Sequence, residues 1–497
     1  MSHNPLASLI RVTLIPPSSE DKTADADRLC RTLKGIGIDD ISIPVDLLKK
    51  LPGELRRNHY ELSLVIGVGN GGLKLLDISR YEIYGLAVDI GSTNIECSLF
   101  NLVTAEKIDA CEIENPQVKY GSDVLTRVQR SMMGEFNILS GALLDGLNSL
   151  IKEVCRRNTV PTDAVFAVTV AGNTIMTHFF LGLDVDNIPV SPYIPVVNNP
   201  VFLSGEESGL GINKHAIVYT FPNSGSYVGG DIISGIIFAG INREEDPVLF
   251  IDVGTNVEIT LGCKDWIMSG AGAAGPALEG GVADIGRKAD AGTIHKVRIN
   301  SLTRKIEMDV ISGTEPAGIC GSGLIDLVSE MFSAEIINQS GRFTDSADII
   351  DKDGIRAFRI YASGDRELFI TEPEIRNFLI SKAAMFSFLY VFVKAVGLTF
   401  REIKKVFVSG ALGCGINPES AIKIGMLPDI PRDRLIPLGN SSLGGAEMVL
   451  LDKYLLEEVS LVSSRITYRE MNEDPELMNI LQGAIFIPHT EPKLLKV

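Results

Sequence analysis

Asp89 is followed by Ile90, Gly91, Ser92, Thr93 and Asn94 inside the stretch GLAVDIGSTNIECSLF, residues 85 to 100. The same order returns at residues 248 to 262, VLFIDVGTNVEITLG, with Asp252, Gly254, Thr255 and Asn256. In both, an aspartate closes an apolar β-like run, and glycine with hydroxyl and amide residues fills the turn before a second run. Gly91 and Gly254 let the backbone approach a phosphate, and turn N–H groups with the Ser92, Thr93 and Thr255 hydroxyls can donate to its oxygens. Asp89 and Asp252 would repel those oxygens. The use that fits them is to hold Mg²⁺ through water or to orient an attacking water, because phosphoryl transfer depends on positioning and charge neutralisation. Either hairpin alone reads as an ordinary Asx-type turn. Two copies in one order predict paired halves that face each other across a ligand.

Further small-residue segments could complete such a site. VFVSGALGCGINPESA, residues 406 to 421, offers Ser409, Gly410, Ala411 and Gly413, whose small side chains would let a nucleoside pack on the backbone before a helix from Pro418. NSGSYVGGDIISGI sets Gly230 and Asp231 ahead of a helix in which Gly235 and Ala239 permit close helix approach, as a hinge requires. Asn173 and Thr174, in VAGNT, follow a strand where their side-chain donors could reach a γ-phosphate, with a turn role as the alternative for Asn173. Glu279, in AGAAGPALEGG, either approaches the nucleotide or caps a turn. Cys320, His178 and His295 read as packed structural residues.

The elements that must position these residues are mixed α/β. Residues 1–82 form a small α+β module: RVTLIPP reads as a strand, DADRLCRTLKGIG as an amphipathic helix and ELSLVIGV as a second strand. From Tyr84, short glycine-punctuated β runs alternate with helical stretches such as SDVLTRVQRSMMG and LLDGLNSLIKEVCRRN. A long helix is predicted from about residue 374 to 396 ahead of the buried strand KKVFVSG. The boundaries expected are a lobe over 83–247, a second over 248–450, and a C-terminal extension over 451–497 that packs on them.

With 497 residues, more than one core is expected. A net charge of −17 argues against nucleic acid as a partner, since nucleic-acid binders need a clustered basic surface. Apolar runs are broken by Gly, Pro or charge before about 18 residues, so no membrane span is expected. The stretch MSHNPLASLIRVTLIPPSSEDK has an Arg inside its apolar run and no basic region before it, which is unlike a secretory signal and points to the cytoplasm. Cys30, Cys97, Cys111, Cys155, Cys263, Cys320 and Cys414 include no C-x-x-C and no pair close in sequence, a spacing unlike a local iron–sulfur or zinc motif.

Taken in order, these segments resemble the phosphate-1, connect-1, phosphate-2 and adenosine segments of the actin, sugar-kinase and heat-shock chaperone superfamily. More closely, the chain resembles the ATPase part of the reductive activators of corrinoid enzymes. That resemblance rests on YGLAVDIGSTN, NPQVKYGSDVLTRV, VAGNTIMTHFFLGLD, YVGGDIISGI, LFIDVGTNVEI, AAGPALEGG, GICGSGLIDLVSE, SGALGCGINPESAIKIGMLPDI and LGNSSLGGAEM. It runs from residue 84 to about 450, and the first 80 residues resemble the family's linker or dimerisation module.

The resemblance implies a two-lobed actin-like ATPase with ribonuclease H-like halves. It implies ATP and Mg²⁺ as cofactors, with Asp89, Asp252 and Glu279 as catalytic carboxylates and Asp89 and Asp252 nearest the metal. The nucleotide-binding set it implies is Gly91, Ser92, Thr93, Asn94, Asn173, Thr174, Gly230, Asp231, Gly254, Thr255, Asn256, Ser409, Gly410, Ala411, Gly413 and Asn440. The implied activity is ATP-driven return of a Co(II) corrinoid in a methyltransferase partner to Co(I), by a homodimer. The chain shows neither the N-terminal nor the C-terminal cysteine segment in which family members carry an iron–sulfur cluster. No cluster is therefore expected in it: a separate low-potential donor delivers the electron, or the sequence is truncated, or the ATPase serves a non-redox remodelling role. A small-molecule kinase of the same superfamily and a nucleotide-switched assembly protein are the competing readings.

Overall fold

The structure is a computed structural model that describes residues 3–254, 257–272, 281–313, 315–345, 349–352, 354–364, 366–410, 415–471 and 474–496. The chain divides into two compact units, Met1–Phe238 with Ser441–Ile466, and Ala239–Asn440 with Thr467–Val497. The boundaries expected from sequence are consecutive, whereas the chain returns to the first unit at Ser441. It does so because the helix Ser441–Leu451 packs on strands Tyr84–Ile90 and Val165–Gly172.

Within the first unit, the N-terminal module is a four-stranded sheet carrying the helices Asp25–Lys34 and Val45–Arg57. Leu29, Leu33, Leu47, Leu51 and Leu55 recur at helical spacing and are buried against Leu62, Leu64 and Leu75. The buried Arg28 guanidinium ties the approach to the first helix, bonding to Asp21 at 2.7 Å and to the Ile15 carbonyl at 2.8 Å.

The rest of the first unit is built on a sheet ordered Lys107–Glu114, Asn94–Asn101, Tyr84–Ile90, Val165–Gly172, Ile217–Thr220, Val201–Ser204. The first three strands are antiparallel neighbours, and Val165–Gly172 and Ile217–Thr220 join in parallel. Tyr84–Ile90 and Val165–Gly172 are buried along nearly their whole length, which is why they read as continuous apolar runs. The edge strand Lys107–Glu114 alternates exposed and half-buried residues instead.

The second unit repeats this plan. Ile267–Gly272, Val257–Gly262 and Val248–Val253 are antiparallel neighbours, and Val406–Ser409 and Leu435–Gly439 continue in parallel. A hairpin of three strands followed by two parallel strands, occurring twice in one chain, is the paired actin-like architecture.

The helix Glu372–Ala395 starts at a capping box of Thr371 and Glu374 and runs through the core of the second unit. It is long and apolar enough to cross a membrane, with mean hydropathy 1.6 over its apolar window, which differs from the sequence expectation; 72% of that window is buried inside the protein. A buried lysine interrupts its apolar run. Lys382 is fully buried, and its ammonium donates to the carbonyls of Ala484, Phe486 and Pro488, where the helix Pro475–Ala484 ends. Those oxygens have no helical partners of their own, so the Lys382 amine, whose pKa burial lowers to about 7, satisfies helix-end groups that burial would otherwise orphan. Lys382→Met keeps the stem and removes the donors. It is expected to lower stability by roughly 2–4 kcal/mol, the scale of a lost charged hydrogen-bond set, seen as an earlier midpoint in chemical denaturation; an unchanged midpoint would refute this account.

Candidate functional site

Asp89 stands half-buried at the end of the central strand Tyr84–Ile90, and the chain reverses through Gly91, Ser92 and Thr93 into the strand from Asn94. A Cβ on Gly91 would lie 2.6 Å from the Asn94 carbonyl, so only glycine allows this reversal. The turn is held from outside by Asn115, which is fully buried where the edge strand ends. The Asn115 backbone N–H donates to the Thr93 carbonyl at 2.7 Å, and its side-chain amide donates to the Gly91 carbonyl at 2.8 Å. Two turn carbonyls are thereby drawn away from the face on which phosphate oxygens would need donors.

Three further segments meet near Asp89. The Ser442 hydroxyl, near the start of the helix Ser441–Leu451, donates to Asp89 Oδ1 at 2.7 Å. The helix Gly230–Ala239 brings Asp231 into its first turn. Burial first, and then the neighbouring Asp89 carboxylate, push the Asp231 carboxyl up to about 7. The third segment, Asn173 and Thr174, lies against the glycines ahead of that helix. A Cβ on Gly229 would come within 2.5 Å of the Asn173 Cα and 2.7 Å of the Asp231 carboxylate. Asn173 caps the helix Thr174–Leu181 by accepting from the Met176 N–H at 3.0 Å, and the buried Thr174 hydroxyl donates to the Gly225 carbonyl at 3.1 Å. The structure thus gives Asn173 a helix-capping role and occupies the Thr174 hydroxyl within the protein.

The helix Gly230–Ala239 crosses the helix Ser441–Leu451 at Ser234 and Phe238, which meet Gly445 and Gly444. The Ser234 hydroxyl donates to the Ser442 carbonyl at 2.6 Å. The small-residue contact was expected at Gly235 and Ala239; the helix instead turns Ser234 toward its neighbour, where glycine supplies the space. His178 is buried, with Nδ1 donating to the Thr174 carbonyl at 2.7 Å and Nε2 accepting from the Val196 N–H at 3.0 Å. Burial holds it neutral, in keeping with a structural role.

In the second unit, Asp252 holds the position that Asp89 holds in the first: near the end of the central strand, half-buried, opposite Glu258 across the hairpin and beside Ser409 on the parallel strand. Gly254 follows, exposed, with open space where a side chain would be. Ser409 is buried, and its hydroxyl donates to the Gly439 carbonyl at 3.0 Å. Gly410 has φ +81° and lies against Val253 and Asp252; a Cβ there would sit 2.6 Å from the Asp252 carboxylate. Glycine at 410 is therefore demanded by the Asp252 hairpin that it backs. Thr255, Asn256, Glu279, Ala411 and Gly413 lie outside the described residues. Asn440 is half-buried immediately ahead of the helix Ser441–Leu451.

Beyond Gly410 the chain borders an open cavity of about 890 Å³, lined by residues that include His295, Arg298, Asp326, Glu330, Gly415 and Asn417. This size suits a nucleotide-sized molecule. Asp326 accepts from Ser420 at 2.6 Å, and Glu330 accepts from the Ile299 N–H at 2.9 Å, so both carboxylates are fixed in the wall. Asn115, Ser442 and the cavity wall are the site features that sequence reasoning missed. Ser442, Asn115 and much of the cavity wall lay within quoted motifs, but only their placement in the fold reveals a use.

Comparison with known proteins follows this geometry. Residues 1–82 match the RACo linker region, 84–244 the RACo middle region, and 246–497 the C-terminal domain of RACo, the ASKHA domain. The corrinoid activation enzyme RamQ of Eubacterium limosum is 28% identical over 447 residues, covering 85% of this chain and 75% of RamQ. A reductase of the Co(II) methylated amine-specific corrinoid protein, from Methanosarcina barkeri, is 24% identical over 78% of this chain and 73% of its own length. Among solved structures, a reductive activator for corrinoid, iron-sulfur protein is similar over 99% of this chain and 81% of its own, with 33% identity and a TM-score of 0.92. With all three regions matched in order and that fold shared along its length, the chain belongs to the RACo family of reductive activators of corrinoid enzymes.

Proposed function

We propose that this protein is an ATPase that activates a corrinoid protein, coupling ATP binding and hydrolysis to reduction of inactive Co(II) to Co(I), with the electron supplied by a separate low-potential donor. The observation that supports it most is the repeated hairpin: one strand order, built twice, ends each central strand in an aspartate followed by a glycine turn. The relatives, whose names tie them to corrinoid activation and to reduction of a Co(II) corrinoid protein, supply the substrate class.

In this reading the turns at Gly91 and Gly254 present N–H donors to the phosphates, and Ser92, Thr93 and Asn94 add side-chain donors in the first. Asp89 and Asp252 are hard oxygen donors at strand ends. The Asp89–Asp231 pair concentrates negative charge that a hard cation would relieve, so the donor set fits Mg²⁺. Bound there through water, Mg²⁺ would neutralise charge on the phosphates. Ser442 keeps Asp89 oriented by donating to one carboxylate oxygen, and Asp231, once ionised, is the carboxylate that accepts a proton from an attacking water. Thr255, Asn256 and Glu279 complete the second half of the set, and the nucleoside packs at Ser409, Gly410, Ala411 and Gly413 with Asn440 at the next turn.

ATP can drive the reduction only by favouring one arrangement of protein and partner over another. Shifting a one-electron couple by ~100 mV needs roughly 2.3 kcal/mol of coupling, within the usual allosteric range. The direct test mixes this protein, Mg²⁺-ATP, a corrinoid protein encoded nearby and a low-potential donor without oxygen, and follows the Co(II) and Co(I) absorbance bands. Co(I) is expected only when all components are present; an ATP-independent yield would remove the activator reading.

The carboxylates give two further expectations. Asp89→Ala or Asp252→Ala should each lower ATP hydrolysis by about two orders of magnitude, as loss of a preorganised charge-stabilising group does; near-normal turnover in both would reject the assignment. Asp231 titrates at about 7 in the fold against an ordinary 3.8, so in that window the folded chain holds a proton that the unfolded chain has lost. Stability therefore falls as pH rises toward 7. Asp231→Asn, uncharged throughout, should melt above the parent protein at pH values over about 7 and match it below about 4 in calorimetry. Identical pH profiles would show that Asp231 is not held beside Asp89 as described.

A further inference from the structure

The cysteines that stand apart in the sequence do not stand apart in the fold. Strands Asn94–Asn101 and Lys107–Glu114 are antiparallel neighbours whose register places Cys97 directly opposite Cys111. Both side chains face the helix Phe136–Arg157, where the buried Cys155 joins the same core. Cys97 is fully buried, while Cys111 is half-buried on the edge strand. Residues directly opposite in an antiparallel pair have Cβ atoms about 4.5–5.5 Å apart, and a disulfide needs about 3.5–4.5 Å. A small approach of the two strands therefore closes the bond without rebuilding the sheet.

The same two strands hold the Gly91 turn. Asn94–Asn101 leaves it, three residues before Cys97, and Lys107–Glu114 ends at Asn115, whose two N–H donors hold the Gly91 and Thr93 carbonyls.

We propose that Cys97 and Cys111 are a reversible thiol pair, closed to a disulfide by exchange with a low-molecular-weight disulfide, and that the bond ties together the two strands that carry the Gly91 turn. The chemistry follows from position. The neighbouring Cys97 thiol, and to a smaller extent the Arg157 charge, pull Cys111 below the ordinary thiol range, while the nearness of Cys111 and burial hold Cys97 well above it. Cys111, the half-exposed partner, is thus the attacking sulfur. Its thiolate attacks one sulfur of the small disulfide, whose S–S bond breaks to release one thiolate and leave a mixed disulfide on Cys111. Cys97 then gives its proton to solvent as its sulfur attacks Cys111 Sγ, expelling the second thiolate. The pair loses two electrons, and the small disulfide is reduced to two thiols.

The bond and its effect are read without nucleotide, so their failure is distinct from failure of the ATPase reading. Cys30 is exposed and would form adducts of its own, so the full chain carries Cys30→Ser. It is incubated with oxidised glutathione in mildly alkaline buffer, then alkylated and mapped by peptide mass. A Cys97–Cys111 linked peptide that disappears after dithiothreitol is expected. In the same background Cys97→Ser should stop at glutathione on Cys111, and Cys111→Ser should leave Cys97 unmodified. Recovery of Cys97 and Cys111 as alkylated free thiols, or glutathione lodged on Cys111 with Cys97 intact, would overturn the pair. Amide hydrogen exchange at residues 91 to 94 should slow in the closed form and recover on reduction. Equal exchange in both forms would overturn the tie to the turn.

Discussion

Holding the Asp231 carboxyl beside Asp89 is unfavourable, and much of the first unit is arranged to hold it there. Burial removes water from one acid, and the other acid opposes its ionisation. The arrangement persists because each partner is fixed by something rigid: Asp89 by a central strand buried nearly throughout, Asp231 by a helix packed closely on Ser441–Leu451 through Ser234. The glycines around them follow from the same constraint. Gly229 lies where any side chain would strike Asn173 or Asp231, so the approach of that helix to the strand ends depends on its lacking one. Acids perturbed by burial and a like charge cluster at functional sites.

The two units show how one plan diverges around its chemistry. Each has a central strand ending in aspartate, a glycine turn and a parallel strand alongside. Around Asp89 the neighbours are polar: a serine hydroxyl and a second acid. Around Asp252 the chain instead brings a left-handed glycine against the carboxylate, with the neighbouring serine turned to a backbone carbonyl.

Much of this was legible in the sequence because it is local. The Asp-Gly-hydroxyl hairpins sit between apolar runs, and a strand buried on both faces must read as such a run. The long helix announced itself by its apolar length, whereas the capping box that starts it at Glu372 emerged only in the fold. What stayed hidden depends on partners distant in sequence. Ser442 meets Asp89 across most of the chain, Asn115 serves a turn on a different hairpin, and the Cys97–Cys111 pair exists only once strand register is known. The carbonyls that Lys382 satisfies likewise lie more than 100 residues further along the chain. The two hairpins were readable, then, but the second residues that hold them were not.

That division bears on how an ATP-driven activator could transmit a change. A phosphate arriving at the Gly91 turn would compete for turn N–H groups and add charge beside Asp89 and Asp231. Each is fixed by one or two named bonds: Asn115 to the turn, Ser442 to Asp89, Ser234 to the Ser442 carbonyl. Because Ser442 bonds to Asp89 through its side chain and to Ser234 through its backbone, the acid and the helix bearing Asp231 share one residue. Any shift of Asp89 toward a bound cation would load the Ser442 hydroxyl, and through its backbone the crossing of two packed helices. Close-packed helices with glycine at the contact have few intermediate positions, so such a load favours moving the helix as a body over bending it locally.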